Sequence, residues 1–270
     1  MRSPRSRVLL LAAVGALAAG LSGPTSAQAA TKGECVVRSA PSFLLQGVNA
    51  YADSVADVVS VGCHEEAGQP VTLEDAELSA RCGNALHWAQ PEPYSPSSGP
   101  GFGVTLDSYG NALAVLWASG CRAGETHISA TLGVPPDTNV QTSFTVLPPQ
   151  PASPGASTIP AREIEGATGE IATVIEATFS QGALKRVELS ASNLFHRCAT
   201  KPHLHWIYHG RERAGGKTAL VNADANGNAF TIVLGAGCSV GESLVLAELT
   251  QRPYTQYVTS FIGLPPQEML

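Results

Sequence analysis

Residues 209–218, HGRERAGGKT, come within one residue of the consensus for a phosphate-binding loop. That consensus is a glycine, four further residues, and then Gly-Lys-Ser or Gly-Lys-Thr. Gly216, Lys217 and Thr218 are in place, but the position of the first glycine is occupied by Arg211. A phosphate-binding loop also leads into a helix, whereas the residues from Thr218 onward predict a strand. We therefore interpret this segment as a loop between strands.

Four histidines are concentrated in HRCATKPHLHWIYHG, residues 196–210. In a strand, His203 and His205 would face the same side, as two ligands of a zinc or copper ion require. His209 or His196 could be a third ligand. The repeat described below retains a single histidine here, followed by a tryptophan, which favours packing. These residues are weak metal candidates and we predict no cofactor, although a pH-dependent binding surface is an alternative.

Residues 222–228, NADANGN, begin like a calcium-binding loop, with Asn222, Asp224 and Asn226 at alternating positions before a glycine. The twelfth position of such a loop needs a bidentate glutamate, and here it is Val233. Asp and Asn also suit tight turns, because their side chains bond the neighbouring backbone. We predict a structural turn.

The chain repeats itself, and the repeat organises all of these residues. Residues 104–150 align with 221–267 at an offset of 117 without a gap, and 20 of the 47 positions are identical. Upstream, ELSARCGNALHW (77–88) matches ELSASNLFHRCATKPHLHW (188–206) with one insertion. Such similarity indicates two copies of one domain.

We place the two copies at residues 33–147 and 161–267, joined by the linker PPQPASPGASTIP, residues 148–160. Its Pro and Ser content predicts a semi-extended connection. Each copy contains about seven short, β-branched or alternating runs separated by turn residues, and no stretch shows helical periodicity over three turns. This pattern predicts an all-β protein of two tandem Greek-key sandwiches.

The six cysteines suit an exported protein with structural disulfides. Two of them recur at equivalent places in each copy, so each such pair is expected to close within its own copy. The remaining two lie in the first copy and are left to pair with each other. The predicted disulfides are Cys82–Cys121, Cys198–Cys238 and Cys35–Cys63.

A hairpin pattern in both copies resembles a known family. Asp-x-x-Gly-Asn-Ala, an apolar strand and Gly-Cys-x-x-Gly-Glu occur at 107–125 and 224–242. This resembles secreted bacterial immunoglobulin-like sandwich repeats, which implies an immunoglobulin-like fold for each copy and no particular activity. VNADANGNAFTIVL, residues 221–234, is also similar to a hairpin of the neocarzinostatin-like sandwiches, which implies a chromophore cleft that maps onto no residues of this sequence.

Residues 1–30 predict a secretory signal peptide. A start with three arginines precedes an apolar run from Val8 to Leu21, and Ala27-Gln28-Ala29 offers a cleavage site. After removal of this segment, 13 basic and 22 acidic residues remain. An acidic chain without a basic cluster lacks the surface that binds nucleic acid. We expect a secreted, extracellular protein with no membrane insertion.

The motifs of common hydrolases do not occur after a strand in the mature chain, neither Gly-x-Ser-x-Gly nor His-Glu-x-x-His. We predict a non-enzymatic binding or adaptor protein, a subunit or adhesion module of an extracellular assembly with secreted or surface protein partners. A small-ligand or metal carrier is the alternative, and an extracellular hydrolase is the second. Loops 89–103 and 192–217 would carry recognition, since aromatic residues and arginine dominate binding hot spots. The candidate anchors are Tyr94, Phe102, Trp206, Tyr208 and Arg211.

Overall fold

The computed structural model describes residues 33–40, 43–45, 55–83, 86–91, 93–133, 138–148, 153–160, 162–164, 169–198, 204–208, 211–214 and 216–267. The predicted signal peptide lies outside these residues. At 43–45, 162–164 and 211–214 the backbone alone is described.

Eleven elements form the first half of the described chain. In order they are β1 (Cys35–Ala40), β2 (Phe43–Leu45), β3 (Val55–Cys63), β4 (Pro70–Glu74), α1 (Ala76–Arg81), β5 (His87–Ala89), β6 (Ser97–Ser98), β7 (Gly101–Thr105), β8 (Asn111–Ala118), β9 (Gly124–Leu132) and β10 (Thr138–Leu147).

The second half repeats the same series of elements. They are β11 (Gly155–Ile159), β12 (Arg162–Ile164), β13 (Ile171–Thr178), β14 (Arg186–Ser190), α2 (Ser192–Arg197), β15 (Leu204–Tyr208), β16 (Arg211–Ala214), β17 (Thr218–Asn222), β18 (Asn228–Gly235), β19 (Gly241–Leu249) and β20 (Gln256–Leu264).

Each half is a sandwich of two five-stranded sheets. Sheet I has the order β1-β3-β8-β5-β6 and sheet II the order β2-β10-β9-β4-β7. Sheet III (β11-β13-β18-β15-β16) and sheet IV (β12-β20-β19-β14-β17) repeat that plan. Consecutive long strands such as β3 and β4, or β8 and β9, lie in opposite sheets, which is the Greek-key connection. The prediction of an all-β protein with two immunoglobulin-like sandwiches is therefore confirmed.

Strand alternation builds a separate core in each half. In β19, Ser243, Val245, Ala247 and Leu249 are buried, while the residues between them face outward. Side chains of alternate residues point to opposite faces of a sheet, so one face of each sheet is directed into its own sandwich. Trp88, Leu116 and Phe144 lie in the first core, and their counterparts Trp206, Val233 and Phe261 lie in the second.

The three disulfides join Cys82 to Cys121, Cys198 to Cys238 and Cys35 to Cys63, the pairs that the repeat predicts. The first two close loops of 39 and 40 residues at the same place in each half. The third ties β1 to β3 and exists in the first half alone. The described chain contains no free cysteine.

Two features differ from the sequence prediction. The segment 148–160, predicted to be a linker, contains β11, which pairs with β13 from Gly155 to Ile159. This edge strand ends before Pro160, which lacks the N–H that would continue a ladder. Short helices, α1 and α2, also follow β4 and β14, where no helix was predicted. The run ELSA lies in α1 in the first half but at the end of β14 in the second, so the position equivalent to Glu77 is Asn193 and not Glu188, as the sequence alignment had it. In α1 the Asp75 carboxylate accepts a hydrogen bond from the Leu78 amide and so starts the helix.

Within the described residues, neither helix approaches the length or apolar character that crossing a bilayer would require.

Candidate binding surface

The two predicted recognition loops contain matching edge hairpins. Residues 89–103 include β6, the edge of sheet I, and residues 192–217 include β16, the edge of sheet III. In each hairpin a tryptophan side chain forms a hydrogen bond to the backbone of the segment that follows the edge strand. The Trp88 indole donates to the Gly99 carbonyl at 3.2 Å, and the Trp206 indole donates to the Gly216 carbonyl at 3.2 Å.

Burial removes two of the five predicted anchors from the surface. Trp206 is 0% exposed within the second core, and Phe102 is 9% exposed in the first. The Phe102 ring stacks on Trp88 with their centroids 6.2 Å apart. The expectation that Trp206 and Phe102 contact a partner is therefore corrected, because both side chains are used to fill a core.

Tyr94 and His205 meet each other across the two halves. Their rings stack with centroids 4.0 Å apart and an interplanar angle of 8°. One was predicted as a partner anchor and the other as a metal ligand, and the structure brings them together as an internal contact. Stacked aromatic rings of this kind contribute about 0.5–1.5 kcal/mol beyond their burial.

The other candidates have different surroundings. Tyr208 is half-buried against the second core, and Arg211 lies opposite it in the β15–β16 register, where only its backbone is described. His203 and His209 lie outside the described residues. Among the residues that are described, no three His, Cys, Asp or Glu side chains gather as metal ligands would.

The halves are joined by an apolar junction between the outward faces of sheets I and III. Its buried side chains come from β3, β5, β8 in one half and β13, β15, β18 in the other. They are Ala56, Val58, Ala89, Val115, Trp117, Ala172, Val174, Ile207, Ile232 and Leu234. Because these residues face away from their own cores, the junction is a third core that both halves share.

One edge of the junction is polar. The Asn111 side-chain amide donates to the Gln267 carbonyl at 2.7 Å, which ties the first half to the end of the second. Beside it is a cavity of about 30 Å³ lined by Gln90, Asp107 and Glu170 among others. A cavity of this size holds a water molecule or two, whereas small-molecule sites usually measure several hundred Å³.

The calcium-like segment is a structural turn, as predicted. The Asp224 Oδ1 atom accepts hydrogen bonds from the amides of Asn226 and Asn228, each at 2.8 Å. Gly227 has φ of +83°, and a Cβ there would lie 2.1 Å from the Phe179 carbonyl oxygen. The carboxylate is thus used to hold the backbone. Asp107 makes the same turn in the first half, at 2.8 and 2.9 Å.

The segment that resembles a phosphate-binding loop joins β16 to β17, so strands lie on both sides of Gly216 and Lys217. The ammonium of Lys217 lies 5.5 Å from the centroid of the Phe195 ring. The residues that follow the loop form strand β17, whereas a phosphate-binding loop leads into a helix. The interpretation as a loop between strands is confirmed.

Three buried or half-buried carboxyl groups have raised pKa values. Burial raises the pKa of Asp57 well above its usual range, although the Ser39 hydroxyl donates to it at 2.5 Å. Burial also raises the pKa of Asp75, which accepts from the Thr126 hydroxyl at 2.6 Å. Glu176, on the outward face of β13, has a pKa raised by burial alone. In all three, burial disfavours the ionised form of the carboxyl.

An exposed ion pair lies between β9 of sheet II and α1, in the first half. His127 Nδ1 on β9 and Glu77 Oε2 on α1 are 3.0 Å apart. The hydrogen bond between them raises the pKa of His127 and lowers the pKa of Glu77. The pair therefore favours a protonated imidazole beside an ionised carboxylate.

The junction was not predicted from the sequence, although the sequence contains a signal for it. The run VADVVSVGC in β3 is apolar at almost every position, as is NALAVLWA in β8. Strands buried on one face alternate, whereas strands buried on both faces read as continuous apolar runs. Applied to β3, β8, β13 and β18, this rule would have predicted a covered outward face on sheets I and III.

The fold and its junction define a class, a pair of immunoglobulin-like sandwiches joined face to face. No protein-family model matches the chain, and no curated protein matches it. Among solved structures, it is similar to the adhesin InvE of Yersinia pseudotuberculosis, with 13% identity, 84% of this chain and 58% of that one covered, and a TM-score of 0.26. The chain is also similar to invasin, a bacterial integrin-binding protein, with 11% identity, 86% of this chain and 39% of that one covered, and a TM-score of 0.28.

Red sea bream transglutaminase gives 8% identity, 87% and 32% coverage, and a TM-score of 0.25. The chain thus spans less than two thirds of the length of each of these three proteins. At such low similarity, adhesins and an enzyme match about equally well, so the comparisons do not bear on function.

Proposed function

We propose that this chain is a secreted, non-enzymatic binding protein, an adaptor or adhesion module of an extracellular assembly. The observation that supports the proposal most is the junction between the halves. Val58 and Val115 of one half are buried with Val174 and Ile232 of the other. Apolar packing of this kind resists hinge motion, unlike a solvated linker.

A fixed pair of sandwiches suits binding because it offers extended surfaces in a constant arrangement. Sheets I and III are used for the junction, so the outward faces of sheets II and IV are directed elsewhere. Preorganised surfaces lose less conformational entropy when a partner binds. Three disulfides support the secreted location, since they persist in oxidising compartments.

Affinity purification tests the proposal. Tagged protein covering residues 31–270 would be incubated with culture fluid of the native organism, and the retained proteins would be identified and quantified by mass spectrometry. We expect at least one secreted or surface protein at near-stoichiometric amounts. The same protein, reduced and alkylated before incubation, controls for adsorption to unfolded chains.

The opposite result would favour a different function. If the folded protein retains the same proteins as the reduced control, and instead copurifies with a small molecule or turns over a substrate, the binding proposal is wrong. In that case the carrier or hydrolase alternative would replace it.

A further inference from the structure

The outward face of sheet IV carries aliphatic side chains in contact with solvent. Leu244 is 54% exposed, Val258 is 64% exposed and Leu220 is 38% exposed, while Leu246 and Ile262 are half-exposed. The register of β19 and β20 places Leu246 opposite Val258 and Leu244 opposite Ser260. We call Leu220, Leu244, Leu246, Val258 and Ile262 the aliphatic strip.

The first half has the same fold without this strip. At the offset of 117, the positions that correspond to the strip are Gly103, His127, Ser129, Gln141 and Thr145. The β9–β10 register pairs Ser129 with Gln141, just as β19–β20 pairs Leu246 with Val258. Since this sandwich forms with polar residues or glycine at all five positions, the fold does not require an aliphatic strip there.

A second change accompanies the strip. Glu188 on β14 and Glu248 on β19 lie directly opposite each other, and the first half has Thr72 opposite Thr131 at that place. Two like charges at directly opposite positions of a sheet repel each other. In the described part of the chain, neither glutamate forms an ion pair. Repulsion of this kind would be relieved by cationic groups supplied from outside.

The chain shows elsewhere how such a face can be buried. At the junction, Val115 and Ile232 face outward from their own sandwiches and are buried in the cluster that both halves share. Sheet IV is five strands wide and about nine residues long at β19. From strand spacing and rise, this face is about 19 Å wide and about 30 Å long at β19 and β20, and it is shorter at β12, β14 and β17, which is the size of a small, transient protein interface.

Charge selects among the possible occupants. Glu188, Glu242 and Glu248 border the strip, and Arg186 lies at the end of that face. The β12–β20 register places Arg162 beside Ile262 at the edge of the sheet, so the acidic residues are concentrated around β14 and β19. The chain has a net charge of −6. A second copy would bring the same acids against these, and an anionic lipid surface would be repelled in the same way. A basic partner would be attracted.

We propose that the aliphatic strip is a docking surface for a protein partner whose contact surface is an apolar stripe bordered by lysine or arginine. The proposal rests on the binding function proposed above and assigns the partner to one face of the second half. The apolar contacts hold the partner, and its basic border neutralises the opposed pair Glu188 and Glu248.

Variants that borrow first-half residues test the surface. A strip variant, L244H/L246S/V258Q, and a charge variant, E188T/E248T, each install the residues that the same register carries in sheet II. The control variant, Q141A/T145A, changes the corresponding face of the first half. Each protein would be tagged, checked for its thermal transition, and incubated with native culture fluid at about 50 and about 500 mM salt, since salt screens surface charges.

We expect a protein with a basic surface that the wild-type chain and the control variant retain. Retention falls about tenfold or more in the strip variant, the effect of losing one hot-spot interaction. It also falls in the charge variant at low salt, and this second difference disappears at high salt. Should the strip variant fail to fold, the charge variant and its salt dependence decide the question.

Other outcomes overturn the proposal in distinguishable ways. A partner retained equally by the strip, charge and control variants leaves the binding function intact and removes this surface. No retained partner for any protein removes both proposals. Wild-type dimers in sedimentation velocity that the strip variant lacks would make a second copy the occupant. Sedimentation with anionic phosphatidylglycerol vesicles, lost in the strip variant, would make it a membrane.

Discussion

The two halves share a strand order but differ in what they bury and what they expose. The first half buries Asp57 and Asp75, and the second has Thr173 and Ala191 at the equivalent places. The Thr173 hydroxyl donates to the Pro160 carbonyl at 3.2 Å, whereas Asp57 Oδ1 has no hydrogen-bond partner among the described residues. The first half thus has carboxyl groups in its interior that the second half lacks, and the second half has an aliphatic strip on its surface that the first half lacks.

This difference separates the requirements of the fold from those of each half. A buried tryptophan, a disulfide and an Asp-Gly-Asn turn occur in both halves, so they serve the sandwich itself. A residue that one half has and the other lacks needs a separate explanation. Residues of one half are therefore natural substitutions to test in the other.

The largest effect is expected at the buried tryptophans. Trp206→Ala leaves a large cavity in the second core, which costs about 3–5 kcal/mol of unfolding free energy. Trp206→Phe keeps much of the packing and loses the hydrogen bond to Gly216, which costs about 1 kcal/mol or slightly more. Urea unfolding followed by circular dichroism measures both.

Trp88→Ala is the matched variant in the first half, and we expect the same loss there. If Trp206→Ala left the stability unchanged, the ring would not be a core residue, and its assignment as a partner anchor would return.

The repeated disulfide should stabilise both halves equally. Its loops of 39 and 40 residues predict a loss of about 4 kcal/mol in each when both cysteines are replaced by alanine, on the chain-entropy model. Hydrogen exchange with mass spectrometry reports the opening of each half separately. C198A/C238A should raise exchange in β13–β20, and C82A/C121A in β3–β10.

The variant C82A/C121A still has the Cys35–Cys63 disulfide in its first half. The order that remains in that half should therefore differ from the order that remains in the second half of C198A/C238A. C198A/C238A leaves the second half without any disulfide. A loss in one half that exceeds the other by more than about 1 kcal/mol would show that the two sandwiches use this disulfide differently, because the entropy model gives them nearly the same value.

The sequence predicted the features that depend on local patterns or on the repeat. Alternation predicted the strands, and equivalence between the copies predicted the cysteine pairs. The short helices were missed, because α1 has six residues and depends on one capping carboxylate, Asp75. The strand β11 was missed because proline and serine dominated the surrounding segment.

The site was predicted less well, because exposure depends on tertiary contacts. Trp206 is a typical hot-spot residue by type, but the packing of two sheets decides that it is buried. The contact between Tyr94 and His205 joins residues 111 positions apart in different halves. The outward positions of β3, β8, β19 and β20 contain the relevant signal, which is readable once each strand's inward face is known.

Asp57→Thr, which installs the second-half residue, is expected to stabilise the protein at pH 7. Because burial raises the folded-state pKa of Asp57, the wild-type protein gains stability as the carboxyl is protonated. That contribution is fully present below the unfolded-state pKa and is lost as the pH rises through the folded-state pKa. Thermal unfolding across pH 4–8 should show a gain of about 1–3 kcal/mol at neutral pH, the cost of a buried polar atom without a partner.

This gain should shrink as the pH falls through the folded-state pKa of Asp57, because the wild-type carboxyl is then protonated. Asp57→Asn provides a control that keeps the shape of the side chain and removes its titration. A variant that is less stable than the wild type at every pH would mean that the Asp57 carboxylate has a stabilising role in the first half.

The smallest effect belongs to the exposed pair of His127 and Glu77. The hydrogen bond between them raises the pKa of His127, so the stability from this group is present below the unfolded-state pKa of histidine and is lost as the pH rises through its folded-state pKa. Glu77→Gln should return the pKa of His127 toward its usual range, as histidine ring signals in an NMR titration would report. The second half has Asn193 and Leu244 at these positions, so the histidine of L244H should titrate without the shift. If both histidines titrated alike, Glu77 would not be the cause of the shift. The cause would then be Glu125, because its counterpart Glu242 lies beside residue 244 in the same way.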